Sequence, residues 1–95
     1  MLVRNAFGGT MSKPSTNIVV PGYDDYHFVV TRGNYVDVQE DDLYILTEYS
    51  TGLGVAFGHT AKEAVEDFLT RRTREQFEKK YKEAISRYGI LNKED

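Results

Sequence analysis

The chain has 95 residues, of which 40% are hydrophobic and 28% charged, with no cysteine and a formal net charge of −3. These values are typical of one folded domain with a modest core. The missing cysteine excludes disulfides, thiolate metal sites and cysteine nucleophiles. No apolar run approaches the roughly 18 residues of a membrane span. Since the amino terminus lacks the apolar core of a secretory signal, the sequence predicts a cytoplasmic protein with no membrane partner.

The net charge is distributed unevenly along the chain. Residues 1–69 carry four basic and ten acidic side chains, whereas residues 70–95 carry eight basic and five acidic ones. An acidic part followed by a basic part is compatible with head-to-tail self-association or with a basic helix that binds nucleic acid. The simpler interpretation is a solvated helix face, and the pattern favours it.

The chain is predicted to hold one domain between two less ordered ends. Residues 1–16 show no hydrophobic period and contain glycine, serine and proline, which predicts a flexible leader. A single α+β domain is predicted over residues 17–91, and a frayed tail over residues 92–95. Within the domain, residues 18–20 are predicted as a short first strand that ends at Pro21.

Short segments with alternating apolar residues predict an antiparallel β-meander of three to four strands. Turn residues separate them: residues 32–34 favour a tight turn, and residues 50–52 favour a hairpin. The firmer predicted strands, in chain order, are residues 26–31, 35–39, 43–49 and 53–58.

In the last predicted strand, large apolar residues alternate with small ones. Side chains of a strand alternate between its faces, so Leu53, Val55 and Phe57 fall on one face. The small residues fall on the other face; they are Gly54, Ala56 and Gly58. We expect the large residues to face the core and the small ones to leave the opposite face flat.

Two helices are predicted after the strands. Thr60 and Glu63 form a capping box, and apolar residues recur at helical spacing over residues 61–69. Thr73 and Gln76 form a second, weaker box. The predicted fold is therefore α+β, in the order β-β-β-β-α-α, with both helices packed on one face of the sheet. Alternatively, the apolar stripe of the second helix pairs with a copy of itself.

Residues that carry chemistry are few. Asp24 and His27 have a spacing that suits two metal ligands, and His59 precedes a helix start, where anions bind. A metal site needs three or four converging ligands, however, and the sequence supplies no third. The acidic runs at residues 24–25 and 40–42 match no calcium loop and are too exposed for acid–base catalysis. We therefore expect no metal, no cofactor and no enzymatic activity.

Tyrosine is frequent, with seven residues in the chain. Tyrosine suits interfaces because it combines apolar area with a polar tip. If the helices cover one face of the sheet, the other presents Tyr35 and Tyr44 beside Gly54 and Ala56. Such a flat, partly aromatic surface fits a protein partner or a second copy. The leading prediction is thus a protein-interaction module that self-associates through this face or through the last helix.

The alternative prediction is a nucleic-acid-binding, antitoxin-like regulator. Its support is a group of basic residues around the start of the second helix, in which Glu75, Glu78 and Glu83 are interleaved and dilute the positive field. The candidate nucleic-acid-binding residues are Arg71, Arg72, Arg74, Lys79 and Lys82, with Lys80 beside them.

The predicted strand-to-helix passage resembles one segment of a known family. Gly58, Thr60, Glu63 and Ala64 match the G-x-T-x-x-E-A pattern with which the helix of small HicB-type antitoxin domains begins. The resemblance covers about a dozen residues and implies an antitoxin-like regulator. The proline-containing segment that precedes this turn in the family is missing here.

Overall fold

The computed structural model describes residues 1–4, 9–12, 14–33 and 43–93. In these residues the chain forms a two-stranded sheet, a four-stranded sheet and two helices. In chain order the elements are β1 (Leu2–Arg4), β2 (Thr10–Ser12), β3 (Ser15–Ile18), β4 (Phe28–Gly33), β5 (Leu43–Glu48), β6 (Leu53–Gly58), α1 (Ala61–Arg71) and α2 (Arg74–Tyr88).

The larger sheet is an antiparallel meander with the strand order β3-β4-β5-β6, and α1 and α2 follow it. The α+β prediction is therefore confirmed. The predicted tight turn is wrong at Arg32 and Gly33, because both residues continue the ladder opposite Tyr44 and Leu43. The predicted returning strand at residues 35–39 lies outside the described residues.

The first strand of the larger sheet begins earlier than predicted. Ser15 and Thr16 pair with Thr31 and Val30, so two residues of the predicted leader belong to β3. Val19 and Val20 follow the strand instead of forming it. Within the same leader, β1 and β2 pair with each other in antiparallel orientation. The mobility of this segment stays a prediction.

In the second half of β6 the small residues Ala56 and Gly58, and not the large Phe57, face the helices. Ala56 pairs with Leu46, and both side chains are buried in the core together with Ala64 and Phe68 of α1. The ladder shifts by one residue between Leu46 and Thr47, a bulge that breaks the simple alternation along β6. The predicted inward face was therefore wrong at Phe57, which is 42% exposed, whereas Val55 packs against the core as predicted.

Close approach of α1 explains this arrangement. A Cβ atom added to Gly58 would lie 2.5 Å from the backbone nitrogen of Ala64 and 2.7 Å from Cβ of Glu63. These distances are well inside van der Waals contact, so a side chain larger than hydrogen does not fit between β6 and the first turn of α1. Small residues are thus required on the face that the helix covers.

The opposite face of the sheet is not the open surface that the sequence predicts. Cross-strand partners point to the same face, which places Val29, Thr31 and Thr47 there. All three are buried, and Oγ1 of Thr31 lies 3.2 Å from Oγ1 of Thr47. This face therefore contains buried residues as well.

An aromatic cluster joins the helices to the sheet. Phe28 of β4, Phe68 of α1 and Phe77 of α2 form a triangle in which each pair of ring centroids is 5.5 Å apart. Tyrosine rings extend this triangle towards the loop before β4 and along α2; they are Tyr23, Tyr26 and Tyr81. Ring pairs at these separations stabilise the folded state by more than the burial of their apolar area alone accounts for.

Both helix starts carry the caps that the sequence predicts, with one difference. Thr60 accepts a hydrogen bond from the backbone N–H of Glu63, but the Glu63 carboxylate accepts from His59, one residue before the cap. The box formed by Thr73 and Gln76, predicted as the weaker, is complete in both directions. Neither helix of the described chain is long and apolar enough to span a bilayer.

The two ends of the chain meet at the turn between β5 and β6. Asn92, assigned by the sequence to a frayed tail, is buried. Its side-chain amide donates to the carbonyls of Leu2 and Tyr49, each at 2.7 Å, and its Oδ1 accepts from Leu2 N–H at 2.9 Å. One side chain therefore links β1, the carboxy-terminal segment and the end of β5.

The close approach at Gly58 yields a stability prediction. We expect Gly58→Ala to lower the free energy of unfolding by about 1–3 kcal/mol, since the new methyl group forces α1 away from β6. Gly54→Ala, on the same strand, is the matched control, because its Cβ would meet only Cγ2 of Ile45, an atom of a movable side chain. Urea unfolding measures both variants. Equal losses would contradict the close packing of α1.

Candidate functional site

The four residues of the predicted partner-binding face do not share one surface. Ala56 is buried beneath α1, and Tyr44 stands on the same side of the sheet, at the edge of the core. Gly54 is exposed on the other side. Tyr35 lies outside the described residues. The structure therefore does not bring these four residues together.

The remaining tyrosines of the strand region also point away from such a face. Tyr23 is buried in the aromatic cluster, and Tyr26 packs edge-on against Phe77, with centroids 4.9 Å apart. Tyr49 stacks on the ring of His27, with centroids 4.5 Å apart. Much of the tyrosine content is thus used to pack the chain against itself.

Unlike the residues of the predicted partner-binding face, several basic residues around the junction of α1 and α2 do share one surface, where they line a groove. The chain leaves α1 in an extended conformation at Arg72, and α2 begins two residues later, so the end of α1 lies beside the first turns of α2. The groove has a volume of about 530 Å³ and is called the basic groove below; its lining residues are Arg71, Arg72, Gln76, Lys79, Lys80 and Glu83.

Four cations and one carboxylate line the basic groove, so its charge is positive. Asp67 reduces this charge because its Oδ1 lies 2.6 Å from Nε of Arg71, in an ion pair within α1. Glu78, which interrupts the basic pattern in the sequence, is directed elsewhere and accepts a hydrogen bond from Arg74 at 2.8 Å. Of the glutamates that interrupt the basic pattern, Glu78 is thus directed away from the groove, whereas Glu83 remains in its lining.

Two predicted nucleic-acid-binding residues do not line the basic groove. Arg74 donates hydrogen bonds to the carbonyl of Gly22 and to the Asp25 carboxylate, and its guanidinium lies 5.2 Å from the centroid of Tyr23. Arg74 thus fastens the start of α2 to the loop before β4. Lys82 is exposed on α2, away from the groove lining.

Residues with potential for catalysis have structural partners. The buried Glu48 carboxylate accepts four hydrogen bonds, from the backbone N–H and the hydroxyl of both Ser50 and Thr51, and so closes the β5–β6 turn. The sequence did not predict this role, because the side chains that mark such turns are those of Asn and Asp, which bond the backbone two residues on, and residue 48 is a glutamate. Nε2 of His27 lies 2.7 Å from Oδ1 of Asn17.

The described residues include no group of three or more His, Asp or Glu side chains placed to hold a metal ion. The acidic run at residues 40–42 lies outside them. Asp24 and His27, the pair with metal-ligand spacing, gain no third ligand within the described chain.

Burial changes the acid–base behaviour of two rings in the aromatic cluster. Burial raises the pKa of Tyr23 above its ordinary value of 10.0, and the nearby Arg74 guanidinium offsets part of this. Burial also raises the pKa of Tyr26, and the carboxylates of Glu78 and Asp25 raise it further. Both phenols therefore stay protonated to higher pH in the folded protein than in the unfolded chain.

Comparison of the chain with protein-family models, with curated proteins and with solved structures finds no match. The resemblance to HicB-type antitoxins therefore depends on the pattern formed by Gly58, Thr60, Glu63 and Ala64. In the structure these residues serve the close packing and the capping of α1.

The raised tyrosine pKa values predict a loss of stability in alkali. Above the ordinary value of 10.0 the unfolded chain releases phenolic protons that folded Tyr23 retains, so the free energy of unfolding falls as pH rises. Each such proton contributes a slope of at most about 1.4 kcal/mol per pH unit. In urea unfolding between pH 9 and 11, Tyr23→Phe should lose stability less steeply than the wild type. Equal slopes of unfolding free energy against pH in the two proteins would contradict the assignment of this loss to Tyr23.

Proposed function

We propose that the protein is a non-enzymatic binding module that holds nucleic acid, through the phosphate backbone, in the basic groove. The observation that carries this proposal is the convergence of Arg71 and Arg72, at the end of α1, with Lys79 and Lys80 of α2 around one concave surface. These residues belong to two helices, so the fold, and not sequence proximity alone, groups them.

The side-chain types in the groove fit phosphate better than they fit a base. Arginine binds phosphate oxygens through two parallel N–H groups, and lysine binds them as a point charge. Gln76 uses its Oε1 in the helix cap, which leaves its amide N–H groups to donate to an oxygen. No aromatic ring is among the described residues that line the groove, so base stacking does not contribute there.

The charge of the whole chain bounds the strength of this binding. The net charge of −3 opposes the approach of a polyanion, so attraction is confined to the surroundings of the groove. Affinity should therefore be modest, independent of sequence and strongly reduced by salt, as expected when phosphate contacts dominate.

A non-enzymatic role is supported by the structural contacts that several carboxylate side chains make. Glu48 closes a turn, Glu63 caps a helix, and Asp25 and Glu78 hold Arg74 in place. A general acid or base needs a desolvated carboxyl group that points at a substrate, whereas these carboxylates serve the fold.

A protein partner or a homodimer, the leading prediction from the sequence, stays a prediction. The geometry supports neither of the two surfaces predicted for such an interface, the sheet face and the last helix. Ala56 of the sheet face is buried under α1, and the apolar stripe of α2 turns Phe77 and Ala84 into the core. An interface between copies therefore needs a different surface.

The proposal predicts salt-dependent binding that fails when the groove cations are removed. We expect Arg72→Ala/Lys79→Ala to weaken binding of a fluorescent DNA duplex about tenfold or more and to lower the slope of log affinity against log salt by about 2. Fluorescence anisotropy over a series of salt concentrations measures both quantities. Removing two phosphate contacts reduces the number of counterions released, which is what the slope reports.

The matched control is Lys62→Ala/Arg87→Ala, which removes the same charge from helix surfaces outside the groove lining. It should retain nearly all of the affinity. No binding by the wild type at low salt, or equal losses in the two double variants, would refute the proposal. Equal losses would show that overall charge, and not the groove, attracts the DNA.

A further inference from the structure

One residue of the basic groove is not explained by phosphate binding, and it is Glu83. Its carboxylate lines the groove together with the four cations. The phosphodiester backbone of DNA presents negative oxygens and no hydrogen-bond donor, so it repels a carboxylate at close range. If the groove received phosphate groups alone, Glu83 would only weaken their binding.

The carboxylate of Glu83 has no role in holding the fold together. Lys79 and Lys80 precede it by four and three residues, and Arg87 follows it by four, which are the spacings of helix ion pairs. None of the ion pairs or hydrogen bonds within the described part of the chain includes this carboxylate. The guanidinium of Arg87 lies over the ring of Tyr88 instead, 6.0 Å from its centroid. Glu83 is exposed, so both of its oxygens can accept from a ligand.

The position of Glu83 relative to the cations determines which part of a ligand it meets. Residues three and four apart on a helix are neighbours, with about 5–6 Å between their Cβ atoms. A ligand that places a phosphate group on Lys79 or Lys80 therefore brings the adjoining chemical group to Glu83. If that group is a hydroxyl, the carboxylate accepts a charge-assisted hydrogen bond from it, and the repulsion is replaced by an attraction.

We infer that the nucleic acid bound in the basic groove is double-stranded RNA, and that Glu83 accepts a hydrogen bond from a ribose 2′-hydroxyl. This inference rests on the proposed function. RNA differs from DNA in carrying this hydroxyl on every sugar, and the wide, shallow minor groove of its duplex displays the 2′-hydroxyls to a protein surface. The described lining of the basic groove offers no aromatic ring on which an unpaired base could stack, which favours a duplex over a single strand.

The test compares an RNA duplex with the same duplex carrying 2′-O-methyl groups, by fluorescence anisotropy at low salt. Both ligands have the same bases and the same phosphates, and methylation removes the hydroxyl donor. The wild type should bind the unmodified duplex about tenfold more tightly, which is the size of one hydrogen bond to a charged group. Equal affinities of the wild type for the two duplexes would overturn the inference.

Glu83→Ala should bind the two duplexes with equal affinity, because the acceptor is gone. The matched control is Glu66→Ala, which removes the same charge from α1 outside the groove lining and should keep the tenfold preference. Loss of a negative charge alone changes both affinities by the same factor, so the ratio reports the hydrogen bond and not the charge. A preference that survives in Glu83→Ala would show that another residue contacts the hydroxyl, and it would overturn the inference.

Two further measurements separate this inference from the proposed function. Arg72→Ala/Lys79→Ala should weaken binding of both duplexes; if it does so while the wild type binds the two alike, the inference alone fails. If neither duplex binds the wild type, the proposed function fails as well. A ribonucleoside monophosphate at the concentration of the duplex should not displace it, since a single phosphate forms few of the contacts. Displacement would assign the groove to a small ligand and would overturn the inference.

Discussion

The contact on which this structure depends is the triangle of Phe28, Phe68 and Phe77. Each ring belongs to a different element, β4, α1 and α2, and the three centroids are mutually 5.5 Å apart. Phe28 and Phe68 are among the most deeply buried large side chains of the described chain. In a domain of this size, burial of three aromatic rings supplies a large share of the hydrophobic stabilisation. The position of α2 relative to the sheet follows from this cluster.

The cluster also determines where the cations lie. Phe77 fixes the rotation of α2 about its axis, and Arg74 fixes its start by binding the loop that carries Tyr23 and Asp25. With that rotation, Lys79 and Lys80 face the end of α1, and Glu78 faces Arg74 instead. The positive groove is therefore a consequence of core packing, which links the stability of the domain to the binding that we propose.

The sequence predicts the helices and strands better than it predicts which side of each one faces the core. Thr60, Glu63 and Thr73 mark both helix starts because capping is local, and the order of strands and helices follows from hydrophobic period. The direction of Ala56 could not be predicted, since it depends on a bulge and on how closely α1 approaches. Likewise, Arg72 and Arg74 look alike in sequence. In the fold, Arg72 ends α1 and lines the groove, whereas Arg74 begins α2 and binds the loop before β4.

The central claim is that the aromatic triangle holds α2 on the sheet. The most direct test is urea unfolding of Phe77→Ala beside Tyr88→Ala, two ring deletions on the same helix, the second at a position that is 55% exposed. We predict that Phe77→Ala lowers the free energy of unfolding by about 3–5 kcal/mol, and that Tyr88→Ala changes it by no more than about 0.5 kcal/mol. Comparable losses in the two variants would contradict the claim.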